Sequence, residues 1–128
     1  SQIVVNAHRC NRGEALELKS GKDDFCFIKE EDNQQLVRKI VQIVERLVAE
    51  GHSIEDIQVL SPMKKTDVGV EALNIALQEK LNPYHPLKGQ LEHKNTVYRV
   101  GDKVMQLVNN YDKEVFNGDI GILSQYHR

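Results

Sequence analysis

A wide apolar stripe between residues 33 and 50 limits what this chain can fold into more than any other feature. Its members recur at helical spacing and are Leu36, Val37, Ile40, Val41, Ile43, Val44, Leu47 and Val48. Asp32 is a suitable N-cap with Gln35 three residues later, and Gly51 stands where a left-handed C-cap belongs. So broad a stripe predicts a helix that lies flat on a sheet.

Short apolar runs at 25–28 and 57–60 predict buried strands, the first after a turn-like segment at 21–24. A second helix is predicted over 68–81, stopped by Asn82 and Pro83. A shorter helical stripe covers 2–10 and ends near Gly13. Strand, helix, strand and helix in this order predict parallel strands joined by helical crossovers, an α/β fold.

After residue 96 the pattern changes to short β-type runs, at 97–100, 104–108, 115–116 and 120–126. Turn residues separate them, and Asn117-Gly118 is the strongest hairpin signal because a type I′ turn needs positive φ at both central positions. The preceding stretch, 83–95, is polar, contains two prolines, and is predicted to be a surface loop. The C-terminal third is therefore predicted to be antiparallel β.

Bulk properties exclude little. A net charge of −2 and a pI near 6.2 argue mildly against a free-standing nucleic-acid-binding domain, although a local basic patch is compatible with them. No apolar run is long enough to cross a bilayer, so we expect a cytoplasmic protein with no membrane partner. Cys10 and Cys26 have no CxxC spacing and are expected to be reduced thiols.

The motifs of a complete active site are missing. A phosphate loop of the form GxxxxGK[ST] fails at Gly21-Lys22, since Leu16 replaces the first glycine and Asp23 follows the lysine. There is no acidic box after an apolar strand, no catalytic triad and no metal-ligand pair of histidines. We predict no catalytic residue and no metal site here, and no ATP hydrolysis by this chain alone.

Three stretches carry a family resemblance: 1–13 (SQIVVNAHRCNRG), 56–63 (DIQVLSPM) with the following Gly69-Val70 and Leu73-Asn74, and 101–121 (GDKVMQLVNNYDKEVFNGDIG). Their order resembles that in RecD- and TraA-type superfamily 1 DNA helicases, the family of the exodeoxyribonuclease V alpha chain, and more distantly Pif1-type helicases. Ser1 falls in a helical pattern and Arg128 in a β-type run, so both ends are expected to be boundaries within a longer protein.

The resemblance implies a bacterial, ATP-dependent helicase of DNA repair and recombination that moves 5′ to 3′ on single-stranded DNA. Residues 1–96 would be part of the second RecA-like motor domain, with a parallel sheet and flanking helices. Residues 97–128 would be β-hairpins that start an inserted SH3-like small barrel. ATP and Mg²⁺ would be bound by the full-length protein, with the phosphate loop on its first RecA-like domain, and not by this chain alone.

Two segments are candidate contacts for single-stranded DNA. The first follows a predicted parallel strand, where ligands of α/β sheets gather, and consists of Ser61, Pro62, Met63, Lys64 and Lys65. The second consists of Asn109, Asn110 and Tyr111, whose ring is a candidate for base stacking. Asn117, Gly118 and Asp119 are predicted to form a structural turn. An ordinary solvated loop and an ordinary turn are the alternatives for the two segments.

Two other functions remain open at this point. The near-neutral charge and missing catalytic residues are also compatible with a stand-alone, non-enzymatic α/β interaction module. A small ligand-binding or regulatory domain that uses the loop after Leu60 is the third possibility.

Overall fold

The computed structural model describes residues 1–18 and 24–125, which belong to two compact units, Ser1–Glu31 and Asp32–Arg128. Most of the predicted turn at 21–24 and the end of the predicted run at 120–126 lie outside the described residues. Within the described ranges, no helix is both long enough and apolar enough to cross a membrane.

In the first unit, helix α1 (Gln2–Asn11) is held by a buried asparagine. The Asn6 amide donates to the Glu17 carbonyl at 3.1 Å and its Oδ1 accepts from the Glu17 amide at 2.8 Å. The sequence predicts a helix already under way at Ser1, whereas in the structure Ser1 is the N-cap. The Ser1 hydroxyl and the amides of Gln2 and Ile3 donate to Asp24, which lowers the pKa of that carboxyl.

Helix α2 (Asn33–Ala49) of the second unit begins at the predicted residue and ends one residue before the predicted end. Asp32 Oδ1 accepts from the Gln35 amide at 2.9 Å, which satisfies one free donor of the first turn. Gly51 has φ of +100° and the His52 amide donates to the Leu47 carbonyl at 3.0 Å. This is the left-handed ending that the glycine predicts.

Helix α3 (Val70–Leu81) packs against α2 and stops at Asn82, as predicted. Val44 of α2 and Leu73 of α3 are the two buried apolar side chains of the described residues. The small core of this unit therefore lies between the two helices.

The predicted parallel sheet is not seen. Neither 25–28 nor 57–60 forms a strand, and no parallel pairing occurs among the residues that the structure describes. A parallel strand needs neighbours that supply its hydrogen bonds. The second segment instead accepts side-chain hydrogen bonds from Lys103, which donates to Ile57 O and to Gln58 Oε1. Apolar composition indicated burial but could not supply those neighbours.

The first antiparallel hairpin lies partly in the stretch predicted to be a loop. Strand β1 (Gln90–His93) pairs with β2 (Thr96–Arg99) through a two-residue turn. Its central residues, Lys94 and Asn95, have φ of 49° and 65°, as a type I′ turn requires. The prediction of a surface loop across 83–95 is thus wrong for its last residues.

The second antiparallel pair is β3 (Lys103–Met105) with β4 (Ile120–Ile122). A backbone bridge between Asn110 and Val115 and a single turn of 3₁₀ helix, Tyr111–Lys113, shape the segment between them. The prediction of antiparallel β in the C-terminal third is confirmed for the runs that become β2, β3 and β4, whereas the predicted run at 115–116 contributes only the bridge at Val115.

The turn at Asn117-Gly118 is not of type I′, because Gly118 has positive φ and Asn117 does not. The Asp119 amide donates to the Phe116 carbonyl at 3.0 Å across this turn. The turn with positive φ at both central residues is the one at Lys94 and Asn95, which was not predicted because the sequence around it is polar.

Candidate nucleic-acid interface

We call residues 61–65 the loop site. The Ser61 hydroxyl donates to the Val68 carbonyl at 2.9 Å and accepts from the Met63 amide at 3.4 Å. In this conformation its only proton is used inside the loop. Ser61 therefore holds the loop in shape and has no proton left to offer a phosphate.

The loop closes over the first turn of α3. The amides of Val70 and Glu71 donate to the carbonyls of Met63 and Lys64 at 3.0 and 3.1 Å. These amides are among the free donors of a helix N-terminus. The loop thus uses two of the donors of this helix end, and the exposed lysine side chains are the charged groups of the loop site that are available to an anion.

Gly69 makes this packing possible, and sequence reasoning missed its role. A Cβ built there would lie 2.7 Å from the carbonyl carbon and oxygen of Lys64 and 2.9 Å from the Thr66 amide nitrogen. All three atoms are backbone and cannot move aside cheaply. The resemblance had marked Gly69-Val70, but a glycine before a helix has several explanations until its neighbours are known.

Lys64 and Lys65 are exposed, and neither ammonium group has a hydrogen bond or ion pair within the described parts of the chain. Asp67 is the one carboxylate between residues 61 and 69. Two free ammonium groups side by side on a shaped loop suit contacts to the phosphates of a nucleic acid, which position a strand without reading its sequence.

We call residues 109–111 the turn site. Asn109 Oδ1 accepts from the Asn117 amide at 2.7 Å, and Asn110 Oδ1 accepts from the Lys113 amide at 3.3 Å. Both side-chain carbonyls therefore build the turn. The asparagines are positioned as structural residues, and their remaining amide hydrogens are what they have to offer a ligand.

Tyr111 is the most available aromatic group of this site. Its residue is 73% exposed, and its ring meets that of Phe116 edge to face, with centroids 5.8 Å apart. Leu107 and Val108, exposed at 76% and 71%, precede it. An exposed ring supported by a second ring suits stacking on an unpaired base. Sequence reasoning missed Phe116, whose partner becomes evident only when the turn is folded.

The charge around the turn site does not favour phosphates. Between 109 and 119 the chain carries three carboxylates, Asp112, Glu114 and Asp119, against one lysine. Any nucleic-acid contact there would depend on stacking, whereas the loop site would depend on charge. The two sites are thus chemically complementary.

The predicted structural turn at 117–119 lies at the end of the segment between β3 and β4 that carries the turn site. Asp119 Oδ2 accepts from the Phe116 amide at 2.8 Å, and the Gly118 amide donates to the Gln106 carbonyl at 2.8 Å. The Gln106 amide donates in turn to the Asp119 carbonyl at 2.8 Å. Asn117, Gly118 and Asp119 all contribute backbone or side-chain bonds to this closure.

The structure also reveals a polar cluster at Asp102 that sequence reasoning missed. Asp102 Oδ1 accepts from the Asn82 side-chain amide at 2.8 Å, and Oδ2 accepts from the Gln78 side-chain amide and the Arg99 backbone amide, each at 2.8 Å. Before it, Gly101 has φ of +98°. The Gly-Asp pair of the 101–121 stretch was the available signal, but its partners are 20 and 24 residues away.

The described residues contain no group of three or more His, Cys, Asp or Glu side chains that could hold a metal ion.

Comparison with known proteins finds two likenesses. Residues 73–128 match the family described as "ATP-dependent RecD-like DNA helicase SH3 domain". The chain is also similar to the ATP-dependent RecD2 DNA helicase of Deinococcus radiodurans, with 31% identity over 121 residues. That alignment covers 94% of this chain and 16% of the relative, so the chain spans about a sixth of it. Together these likenesses support one assignment, a fragment of a RecD-type helicase, and the resemblance found in the sequence is confirmed.

Proposed function

We propose that this chain is part of the second RecA-like motor domain of an ATP-dependent, 5′-to-3′ DNA helicase. Residues 1–96 would belong to the motor domain and 97–128 would lead into its inserted SH3-like barrel. The chain would form part of the single-stranded DNA groove and the face opposite the ATP-binding domain. The family description and the relative's name support a helicase as the parent.

The observation that carries the DNA role is the pair of unpaired lysines on a braced loop. Lys64 and Lys65 project from a loop whose backbone is fixed by Ser61 and by the first turn of α3. A braced backbone lowers the cost of ordering the loop on binding, and each neutralised phosphate releases a counterion. Tyr111 would add stacking at the turn site.

The predicted parallel sheet, which is not seen in this chain, could form with strands from the rest of the parent protein. Side chains of α2 and of residues 57–60 line an apolar groove, and Leu60 is 86% exposed. We propose that strands of the parent motor domain, outside this chain, pair with 57–60 and cover the groove. This pairing would put the loop site at the carboxyl end of a parallel strand.

ATP and Mg²⁺ would be bound elsewhere in the parent. No phosphate-loop sequence occurs in this chain, and that loop and the Mg²⁺ carboxylate would lie on the first RecA-like domain. The residues of this chain would act on the DNA strand, and we expect no ATP turnover from the chain by itself.

The test is the salt dependence of single-strand binding by the full-length parent. We expect Lys64→Gln plus Lys65→Gln to weaken binding of an oligo-dT strand. Because each phosphate contact on a single strand adds about 0.7 to the slope of log K against log salt, the slope should become shallower by about 1.4.

The matched control is Lys80→Gln plus Lys94→Gln, which removes the same charge from two exposed lysines outside both sites. It should leave the slope nearly unchanged. Equal slopes for the parent and the Lys64/Lys65 variant across the salt series would remove the DNA role of the loop site.

A further inference from the structure

Helix α3 joins the two proposed DNA-contacting sites. At its N-terminal end, Val70 and Glu71 donate backbone hydrogen bonds to the carbonyls of Met63 and Lys64 in the loop site. At its C-terminal end, Gln78 and Asn82 donate side-chain hydrogen bonds to Asp102. With 12 residues at about 1.5 Å each, α3 is a strut about 18 Å long.

Asp102 fastens both strands that carry the turn site. Its own position immediately precedes β3, and its carbonyl accepts from the Leu123 amide at 2.8 Å, just after β4. The Gly101 amide donates to the Leu123 carbonyl at 2.7 Å. The end of the β3–β4 pair is therefore hydrogen-bonded to Asp102, the residue that also accepts hydrogen bonds from α3.

Arg99 ties the other hairpin to the same end of α3. It is 7% exposed, and its guanidinium donates to Gln90 Oε1 at 2.7 Å, to Glu79 Oε1 at 3.2 Å and to the Asn82 carbonyl at 3.3 Å. Its backbone amide donates to Asp102 Oδ2. The Asp102 carboxylate thus joins α3 to the end of β2, and the Asp102 backbone carbonyl joins the start of β3 to the residue after β4.

A glycine makes the close approach possible. A Cβ added to Gly101 would lie 3.2 Å from Asn82 Oδ1, and its φ of +98° strains any other residue. Lys88 Nζ donates to the same Asn82 oxygen at 2.6 Å. Asn82 therefore has both ends of its amide engaged, which fixes the side chain that reaches Asp102.

We propose that Asp102 is a positioning residue that holds the turn site at a fixed distance from the loop site through α3. The inference rests on the proposed function for its purpose, since a fixed spacing lets one DNA strand occupy both sites together. Both oxygens of Asp102 accept hydrogen bonds from donors. An asparagine would therefore turn one acceptor into a donor facing another donor.

The spacing is measurable without DNA. In the full-length parent, nitroxide labels on Lys65→Cys and Lys113→Cys, with other exposed cysteines changed to Ser, report the distance between the two sites by pulsed electron resonance. We expect a single narrow distribution, which Asp102→Asn broadens or splits. Asp112→Asn, the same change on an exposed turn residue, should leave it narrow.

Gln78→Met provides a second variant in case Asp102→Asn does not fold. It keeps the length of the side chain and removes its hydrogen bonds to Asp102 and to the Val97 carbonyl. A smaller broadening is expected. Distributions that match the unaltered protein in a folded Asp102→Asn or Gln78→Met variant would overturn the positioning role.

A double-mutant cycle on oligo-dT affinity tests the purpose of the spacing. The combined effect of Lys64→Gln plus Lys65→Gln and Tyr111→Ala on affinity should differ by about twofold or more from the product of their separate effects. In the Asp102→Asn background the two effects should become additive in free energy. Coupling that persists in the Asp102→Asn background would contradict the inference. If neither change alters affinity, the proposed function fails, while the distance measurement still decides the role of Asp102.

Discussion

At the residue scale, this chain shows two kinds of key side chain, those whose partners are near in sequence and those whose partners are far. Asp32 and Gly51 were predictable because a helix cap bonds to residues three or four positions away. Asp102 was not predictable, since its carboxylate meets Gln78 and Asn82 only after α3 and two hairpins have folded. Distance along the chain, rather than residue type, separates the two cases.

Gly69 offers a prediction at this scale. Gly69→Ala would place a methyl group against the backbone of Lys64 and Thr66, so the loop must shift or the helix start must open. Overpacking of this kind costs roughly 1–3 kcal/mol. We expect a lower thermal midpoint and weaker oligo-dT binding by the parent.

Gly121→Ala is the matched control, because a Cβ there meets nothing within 4 Å. A Gly69→Ala variant as stable as Gly121→Ala would mean that the loop does not pack on α3 as described.

At the element scale, periodicity predicted helices well and strands poorly. The apolar stripes of α2 and α3 gave both helices their correct type and nearly correct ends. Strand β1 (QLEH) was missed because all four of its residues are exposed, so no alternation marks it. Residues 57–60 show the opposite error, since their apolarity indicates burial but pairing depends on neighbours that a single segment cannot specify.

The β1–β2 turn provides the prediction for this scale. Lys94 and Asn95 adopt positive φ without being glycine, and left-handed conformations cost an ordinary L-residue roughly 1 kcal/mol. Replacing the pair by Asn-Gly, the preferred type I′ sequence, should raise the free energy of unfolding by a similar amount.

Chemical denaturation of the parent protein would measure this change. Lys94→Ala alone provides the control, because it leaves a non-glycine residue at both positions of the turn. An Asn-Gly variant no more stable than the unaltered protein would argue against a type I′ turn at these residues.

At the scale of the whole molecule, we expect the chain to pack against other parts of a larger protein. The chain spans 16% of its Deinococcus radiodurans relative, and the apolar groove beside 57–60 has no cover within the described residues. We therefore expect Leu60→Ser to destabilise the parent by roughly 2–5 kcal/mol, the cost of losing a buried leucine.

Leu87→Ser is the control, since Leu87 is 91% exposed and lies outside the groove. It should change the thermal midpoint little. Similar midpoints for both variants would show that Leu60 stays in water in the parent, and the proposed parallel pairing of 57–60 would then fail.

The most direct test of the central claim is to locate the DNA strand. The parent helicase would be bound to an oligo-dT strand carrying photoreactive 5-iodo-deoxyuridine, irradiated, digested and analysed by mass spectrometry. We predict crosslinks within residues 61–65 and at Tyr111. Efficient crosslinking that maps only to other parts of the parent would contradict the placement of this chain in the DNA groove.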